Sequence, residues 1–281
     1  PCSVVLEMGP SGGHTLFQPL VEPLFQVVEA SIKEENETAA QEAMSALARV
    51  TEEVPKFFRE SLNHLGPLLA AIIDAKTGVD VCVRIGAIEW AATLAEALPA
   101  RFRRGEWLAG SLLPALMGII NVPPTAQGPE DAWAQRPDSD AYADLEGEGE
   151  EEEMAEAALF ALDRLSQAVG AQAMYKRCAP LLVAALQDGG DWARRRGALL
   201  TLSMVAKGCD TALQSHLPEL LPFLITFVRD PHPRVRYACL VCLAQLCDDL
   251  PNGPNGRPFQ KQYGGIVLPA LVTSFTEPSN Q

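Results

Sequence analysis

Cys239 and Cys242 stand three residues apart, the spacing of a paired metal ligand or a redox dithiol. A structural zinc site needs four ligands at paired spacings, and no second pair lies nearby. Both thiols fall on an apolar helical stretch beside Leu243 and Leu246, which reads as core packing. Gly9-Pro10-Ser11-Gly12-Gly13-His14 is rich in glycine but lacks the Gly-Lys-Ser/Thr ending that cradles phosphate, so it reads as a loop. Of the four histidines, His64 falls inside a helical stretch and His232 lies between two prolines. Nothing assembles a nucleophile, a base and an oxyanion site. The chain therefore does not read as an enzyme, and no catalytic residue, metal ligand or cofactor is expected.

The acids carry a different chemistry. The formal charge is −14, yet eleven acids fall between Arg136 and Arg164 with no Lys or Arg among them, and the rest of the chain is near −3. They are Asp138, Asp140, Asp144, Glu146, Glu148, Glu150, Glu151, Glu152, Glu153, Glu156 and Asp163. Such a segment can act as a polyanionic surface for a Lys- and Arg-rich partner, or simply keep an inserted loop solvated. Trp133, close upstream, can stack on a cationic stem. Direct nucleic-acid binding is not expected, because displacing counterions from phosphates needs basic residues.

These residues need a scaffold, and the composition says which. Hydrophobic residues make up 48% and aromatics only 6%, with Leu, Ala and Val dominant. That mix suits stacked helices better than a β-sandwich. Six of the seven cysteines (Cys82, Cys178, Cys209, Cys239, Cys242, Cys247) sit in apolar stretches, as reduced buried thiols of an intracellular protein do. No apolar run reaches membrane-spanning length, so no membrane contact is expected.

Internal repetition sets the fold class. Helices are expected in pairs of about forty residues: 16–32 with 38–53, 57–73 with 81–98, 107–120 with 150–169, 174–186 with 192–207, and 214–228 with 233–250. A lone helix at 266–275 opens a sixth pair, and the chain reads as a piece of a longer array. Arg196-Gly197-Ala198 lies 40 positions before Arg236-Tyr237-Ala238, and Gly86-Ala87-Ile88 lies 111 before Gly197-Ala198-Leu199. First helices share a Leu-Pro or Pro-Leu at Pro23, Pro67, Pro114, Pro180, Pro222 and Pro269. A proline inside a helix removes one hydrogen bond and kinks it. Kinked outer helices on straight inner ones make an all-α HEAT-repeat solenoid, a right-handed superhelix of antiparallel pairs. Residues 1–281 are read as one such solenoid, with 121–149 as an acidic insertion in the third pair. Asp230, six residues before Arg236, is expected to cap its helix and to join neighbouring repeats in a ladder.

Trp192-Ala193-Arg194-Arg195-Arg196-Gly197-Ala198-Leu199, Leu202-Ser203, Gly208-Cys209, Arg229 to Ala238 and Phe259-Gln260-Lys261 together resemble the importin-β superfamily of nuclear transport receptors. Glu130-Asp131-Ala132-Trp133-Ala134, the acidic run and Ala161-Leu162-Asp163-Arg164 follow the same order as in that family. The resemblance spans about residues 16–281. It implies a concave surface lined by the second helices that binds basic import signals of cargo such as ribosomal or histone-like proteins. It also implies Phe-Gly nucleoporins on the outside, cargo release by Ran-GTP in the full-length protein, and shuttling between cytoplasm and nucleus. The alternative is a HEAT scaffold that organises a protein complex without transport.

Glu89, Thr93 and Glu96 share one face of their helix at spacings of four and three, with Ile85, Ile88, Ala92 and Ala95 on the packing side. Gln245 and Asp249 form a similar pair. The resemblance makes these five the candidate cargo contacts. Lys207 and Val241 depart from the acid and the Asn that related receptors tend to have there. On the last helix Ile266, Leu268 and Leu271 are expected to be exposed.

Overall fold

The computed structural model describes residues 18–122, 149–250 and 259–276. Among them there are helices and no strands. They fall into two compact units, divided after Gly118.

In the first unit a 3-10 turn (Gln18–Leu20) leads into α1 (Val21–Lys33), followed by α2 (Glu37–Glu53). A second 3-10 turn (Pro55–Phe58) precedes α3 (Leu62–Ile73), and α4 (Val81–Ala97) completes the second pair. Side-chain caps set where the second helices begin. Asn36 accepts from Ala39 N at 3.2 Å, and Asp80 accepts from Cys82 N at 2.9 Å. Pro55 and Pro99 follow these helices, but each also starts a new turn. Pro99 opens the short helix α5 (Pro99–Arg104), which periodicity did not suggest. A π-helical turn (Leu108–Leu112) runs into α6 (Leu113–Ile120). There Leu113 N donates to Leu108 O, five residues back, just before Pro114.

α2 and α4 lie side by side, with α1 and α3 against their other faces. Trp90 of α4 is fully buried, 5.8 Å from the ring of Phe25 and 5.4 Å from that of Phe58. Its indole Nε1 donates to Thr51 Oγ1 at 2.7 Å, and that hydroxyl donates to Leu47 O at 3.0 Å. Trp107 fits over Gly66, where any side chain would strike the indole ring.

The second unit continues with α7 (Glu150–Val169), α8 (Ala171–Leu186) and α9 (Trp192–Val205). Then come α10 (Asp210–Thr226), a 3-10 turn (Phe227–Arg229), α11 (Pro233–Asp249) and α12 (Phe259–Thr276). α7, α9 and α11 form one layer; α8, α10 and α12 form the other. Each unit is thus a two-layer stack of helix pairs. Four of the six shared prolines (Pro67, Pro180, Pro222, Pro269) are inside helices, as expected of a kink. Pro23 is in a first turn, where no backbone donor is needed, and Pro114 directly follows the π-helical turn that runs into α6. On α12, Ile266 and Leu268 are exposed and Leu271 is half-buried; Val272 and Phe275 complete the exposed apolar side.

Candidate functional site: the outward face of the second helices

α4 is packed on α2 and α3, and its remaining side faces solvent. Glu89 and Glu96 are exposed there and Thr93 is half-buried, with its hydroxyl donating to Glu89 O at 3.0 Å. Cys82, on the same side, is exposed rather than buried, because it lies two turns before Glu89 on the same solvent-facing stripe. α2 presents an equivalent face that periodicity alone did not single out. The N-caps Asn36 and Asp80 are 44 residues apart, and so are the C-caps Val54 and Leu98. The same offset puts Ser45, Arg49 and Glu52 beside Glu89, Thr93 and Glu96, with Glu42 one turn earlier. Glu42, Ser45, Arg49 and Glu52 are all exposed. The signal was in the sequence as a repeat of residue character at one interval. Gln41 Nε2 donates to the Asp80 carboxylate at 3.3 Å, fixing the start of α4 against α2. The two neighbouring faces thus carry four exposed carboxylates and one exposed guanidinium.

In the second unit the corresponding surfaces differ. α9 is buried along almost its whole length, including Arg196, Leu200, Thr201 and Ser203; Arg194 is exposed, as is Lys207 just after it. On α11, Gln245 Nε2 donates to Asp249 Oδ2 at 2.9 Å, so these two half-buried side chains satisfy each other. α7 shows Glu153, Glu156, Phe160 and Gln167 on its solvent side. Glu150, Glu151, Glu152 and Glu153 form the first turn of this helix, not a loop. Four carboxylates there complement the positive end of the helix dipole. Glu152 is buried, and its Oε1 has no hydrogen-bond partner. Trp133, Asp138, Asp140, Asp144, Glu146 and Glu148 lie outside the described residues.

The ladder is built differently from its expectation. Asp230 takes a two-point ion pair from Arg195 of the preceding pair, Nε to Oδ2 at 2.8 Å and Nη2 to Oδ1 at 3.1 Å, with both side chains buried. Arg236 does not meet the Asp230 carboxylate; its Nη1 donates to Asp230 O at 3.0 Å and Pro231 O at 3.2 Å. Nor does Asp230 cap α11. His232 does, its Nδ1 accepting from Arg234 N at 3.3 Å, while its ring stacks on Trp192 at 3.7 Å. The reason is one of register. Arg84, Arg195 and Arg236 are each the fourth residue of their helix. The repeat from α9 to α11 is therefore 41 residues, and the 40-residue alignment had matched Arg196 instead. Each of the three closes on carbonyls at or just beyond the end of the preceding helix: Arg84 on Ile73 O at 2.8 and 3.0 Å, and Arg195 on Asp188 O at 2.8 Å and Gly189 O at 3.1 Å, in the turn that leads into α9.

The cysteines of the second unit are held as thiols. Burial is the first cause in every case. It pushes Cys239 up to about 12, with Asp230 adding to it, and Cys209 to about 12, with Asp210 adding. Cys242 is raised well above its ordinary value by burial and then by Cys239. Cys239 Sγ donates to Leu224 O at 3.2 Å. Buried thiols in this state are poor nucleophiles for redox work. Among the described residues no cluster of His, Cys, Asp or Glu is placed to hold a metal.

A family described as HEAT-like repeat matches residues 192–246. Importin subunit beta-3 of Saccharomyces cerevisiae is 25% identical over 262 residues, which is 92% of this chain and 22% of that protein. Transportin-1 of Oryza sativa subsp. japonica is 32% identical over 91 residues, 31% of this chain and 10% of that protein. The crystal structure of Kap121p superposes over 97% of this chain and 25% of its own length, with a TM-score of 0.82 at 22% identity. The chain has the karyopherin fold. It spans about a fifth to a quarter of the length of the beta-3 relative and of Kap121p. The stretch matched by the HEAT-like family opens with α9 and takes in nearly all of α11, so it contains the Arg195–Asp230 pair that ties two pairs of this karyopherin fold together. None of its helices in the described residues is long and apolar enough to cross a membrane.

Proposed function

We propose that this chain is the segment of a nuclear transport receptor that holds a basic import signal against the acidic, solvent-exposed face of its second helices, the concave surface that the importin-β resemblance implies. One observation carries the reading: α2 and α4 lie side by side and expose Glu42, Glu52, Glu89 and Glu96 with Arg49 as their single exposed cation. Packed helices are roughly 8–10 Å apart, and an extended peptide advances about 3.3 Å per residue, so basic side chains about three residues apart can meet successive helices. The relatives named importin and transportin support the transport role. So do structures of the same fold in which Kap121p is bound to RanGTP, to Nup53p and to the extreme C-terminus of Cdc14p. By the same reading the longer protein releases its cargo to Ran-GTP, meets Phe-Gly nucleoporins, and shuttles between cytoplasm and nucleus. The acids at 138–148 add a second polyanionic contact for cargo or for Ran.

The test is charge reversal. Exposed ion pairs contribute about 0–1 kcal/mol each, so affinity comes from several of them. Glu89→Lys with Glu96→Lys should weaken a Lys-rich import peptide about ten-fold by fluorescence anisotropy, with unchanged helix content. Equal binding by the double variant across several basic peptides would reject this face as the site. Loss of fold would mean that the two acids belong to inter-helix packing. A full-length protein that ignores Ran-GTP in a pull-down would favour a scaffold without a transport role.

A further inference from the structure

α1 ends, and α2 and α4 begin, around a cavity of about 250 Å³. Ile32, Val79 and Val83 supply its apolar lining, and Glu35 and Glu37, both exposed, supply carboxylates. Ser31 lines it too, although that residue is only 7% exposed. Other helical serines of this chain donate to a carbonyl three residues back: Ser166 to Asp163 O at 2.8 Å, Ser203 to Leu200 O at 2.7 Å and Ser215 to Ala212 O at 2.8 Å. The Ser31 hydroxyl has no hydrogen-bond partner among the described residues. A polar group held away from water without a partner costs free energy, so a ligand that reaches it is favoured.

The charge of the cavity is uncommitted as well. Neither the Glu35 nor the Glu37 side chain has an ion pair or a hydrogen bond among the described residues. Asp80, also in the lining, is engaged: it accepts from Cys82 N at 2.9 Å and from Gln41 Nε2 at 3.3 Å. Lys76, in the connector before α4, is paired with Asp74 at 2.8 Å. The starts of α2 and α4 each bring roughly half a positive charge. Three carboxylates outweigh them, so the cavity suits a cation. Glu35 has a φ of 54°, where glycine fits without cost and a side chain does not. The turn after α1 would close more easily on glycine, yet it carries this carboxylate to the cavity.

We propose that this cavity receives the side chain of a single lysine of a partner protein. Pockets for whole small molecules are roughly 300–1,000 Å³, so a smaller space suits one long side chain. The stem lies on Ile32, Val79 and Val83, and the ammonium meets the Ser31 hydroxyl and the two glutamates. An ammonium directs three N–H groups to separate acceptors, whereas the planar fork of a guanidinium suits the two oxygens of one carboxylate. The cavity is distinct from the basic-signal face. From the cap Asp80 to Glu89 is nine residues, about 13 Å along α4.

Nuclear magnetic resonance of the whole 281-residue chain, titrated with N-acetyl-lysine amide, tests this. The methyl signals of Val79 and Val83 should shift saturably, with half-saturation at about 1 mM that rises with salt. The norleucine analogue keeps an apolar stem without the ammonium and should bind about five-fold more weakly. Ser31→Ala and Glu35→Gly should each weaken the lysine compound about five-fold. Their melting temperatures should hold or rise, because alanine favours the helix and glycine the left-handed turn. Glu89→Lys/Glu96→Lys should leave the shifts in place. The proposal falls if the norleucine analogue binds equally, which would make the cavity merely apolar. It falls also if both variants bind like the parent, or if the lysine compound shifts neither valine. Tighter binding of N-acetyl-arginine amide would overturn the choice of an ammonium.

Discussion

α4 and α9 begin alike and end unlike. Both are capped by an aspartate, Asp80 and Asp191, whose carboxylate accepts from backbone amides of the first turn. Both place an arginine fourth and a glycine sixth: Arg84 with Gly86, and Arg195 with Gly197. In both, the arginine fastens a backbone carbonyl at the junction with the previous helix: Ile73 O, the helix's last residue, for Arg84, and Asp188 O, in the turn after it, for Arg195. Beyond the second turn they diverge. α4 turns Glu89 and Glu96 to water, whereas at the corresponding positions α9 buries Leu200 and the chain exposes a cation, Lys207, just past the helix. The start of a second helix therefore carries the repeat geometry, and its later turns are free to vary in surface chemistry. Structural load and candidate binding chemistry fall on different turns, and substitutions can separate them.

The largest effect is expected at Asp230. Its pair with Arg195 is buried and two-pointed, and removing one partner leaves an uncompensated charge in a dry site. Asp230→Ala should destabilise the second unit by about 3–5 kcal/mol, measured by urea unfolding. A loss below about 1 kcal/mol, as for an exposed pair, would mean that the clasp holds nothing. Replacement of Glu89 by Ala should leave stability within about 0.5 kcal/mol. If the two substitutions cost the same, the division between early and late turns is wrong.

The first unit has a counterpart of intermediate size. Thr51→Val keeps the shape but removes the acceptor of the buried Trp90 Nε1–H, which should cost about 1–3 kcal/mol. Tryptophan fluorescence read against urea checks it. An unchanged midpoint would show that α2 and α4 are held by ring packing alone.

How much of this was readable from the chain depends on the kind of signal. Apolar periodicity reports a helix, and it gave α7 its full extent, Glu150–Val169, and set the starts of α9 at Trp192 and α11 at Pro233. It is weak for short helices, so α5 was missed; and α12 begins at Phe259 rather than at 266, because Gly264-Gly265 reads as a break. Periodicity also says nothing about which neighbour a side chain meets. Asp230 and Arg236 are six apart in sequence, but the carboxylate turns to Arg195, 35 residues away, once the pairs stack. The acidic face was only half visible: Glu89, Thr93 and Glu96 stood out against an apolar helix, whereas Glu42, Ser45 and Glu52 were hidden in a more polar one. Gln245 and Asp249 were legible as a pair, but not as a pair that satisfies itself.

The smallest effect at neutral pH is expected from the thiols, and it appears only on the alkaline side. Cys209 and Cys239, both in the second unit, are raised from an ordinary value near 9 to about 12, chiefly by burial. Tyr175 and Tyr263 of the same unit are raised in the same direction, again by burial. For a group whose folded value is raised, the unfolded chain gives up its proton first. The stabilising contribution is therefore whole below pH 9 and is lost as pH climbs from about 9 to about 12. One pH unit into that window corresponds to about 1.4 kcal/mol for each thiol. In the first unit the described cysteine is Cys82, which is exposed. Urea midpoints of the second unit should hence fall between pH 9 and 10.5 more steeply than those of the first. Cys209→Ala with Cys239→Ala should flatten the fall while lowering the neutral-pH value. A thiol reagent at pH 8 should label Cys82 well before Cys209, Cys239 or Cys242. Equal alkaline slopes in the parent and the double variant would mean that these thiols ionise as readily folded as unfolded, and the contrast between an open first-unit face and a sealed second-unit interior would not extend to the cysteines.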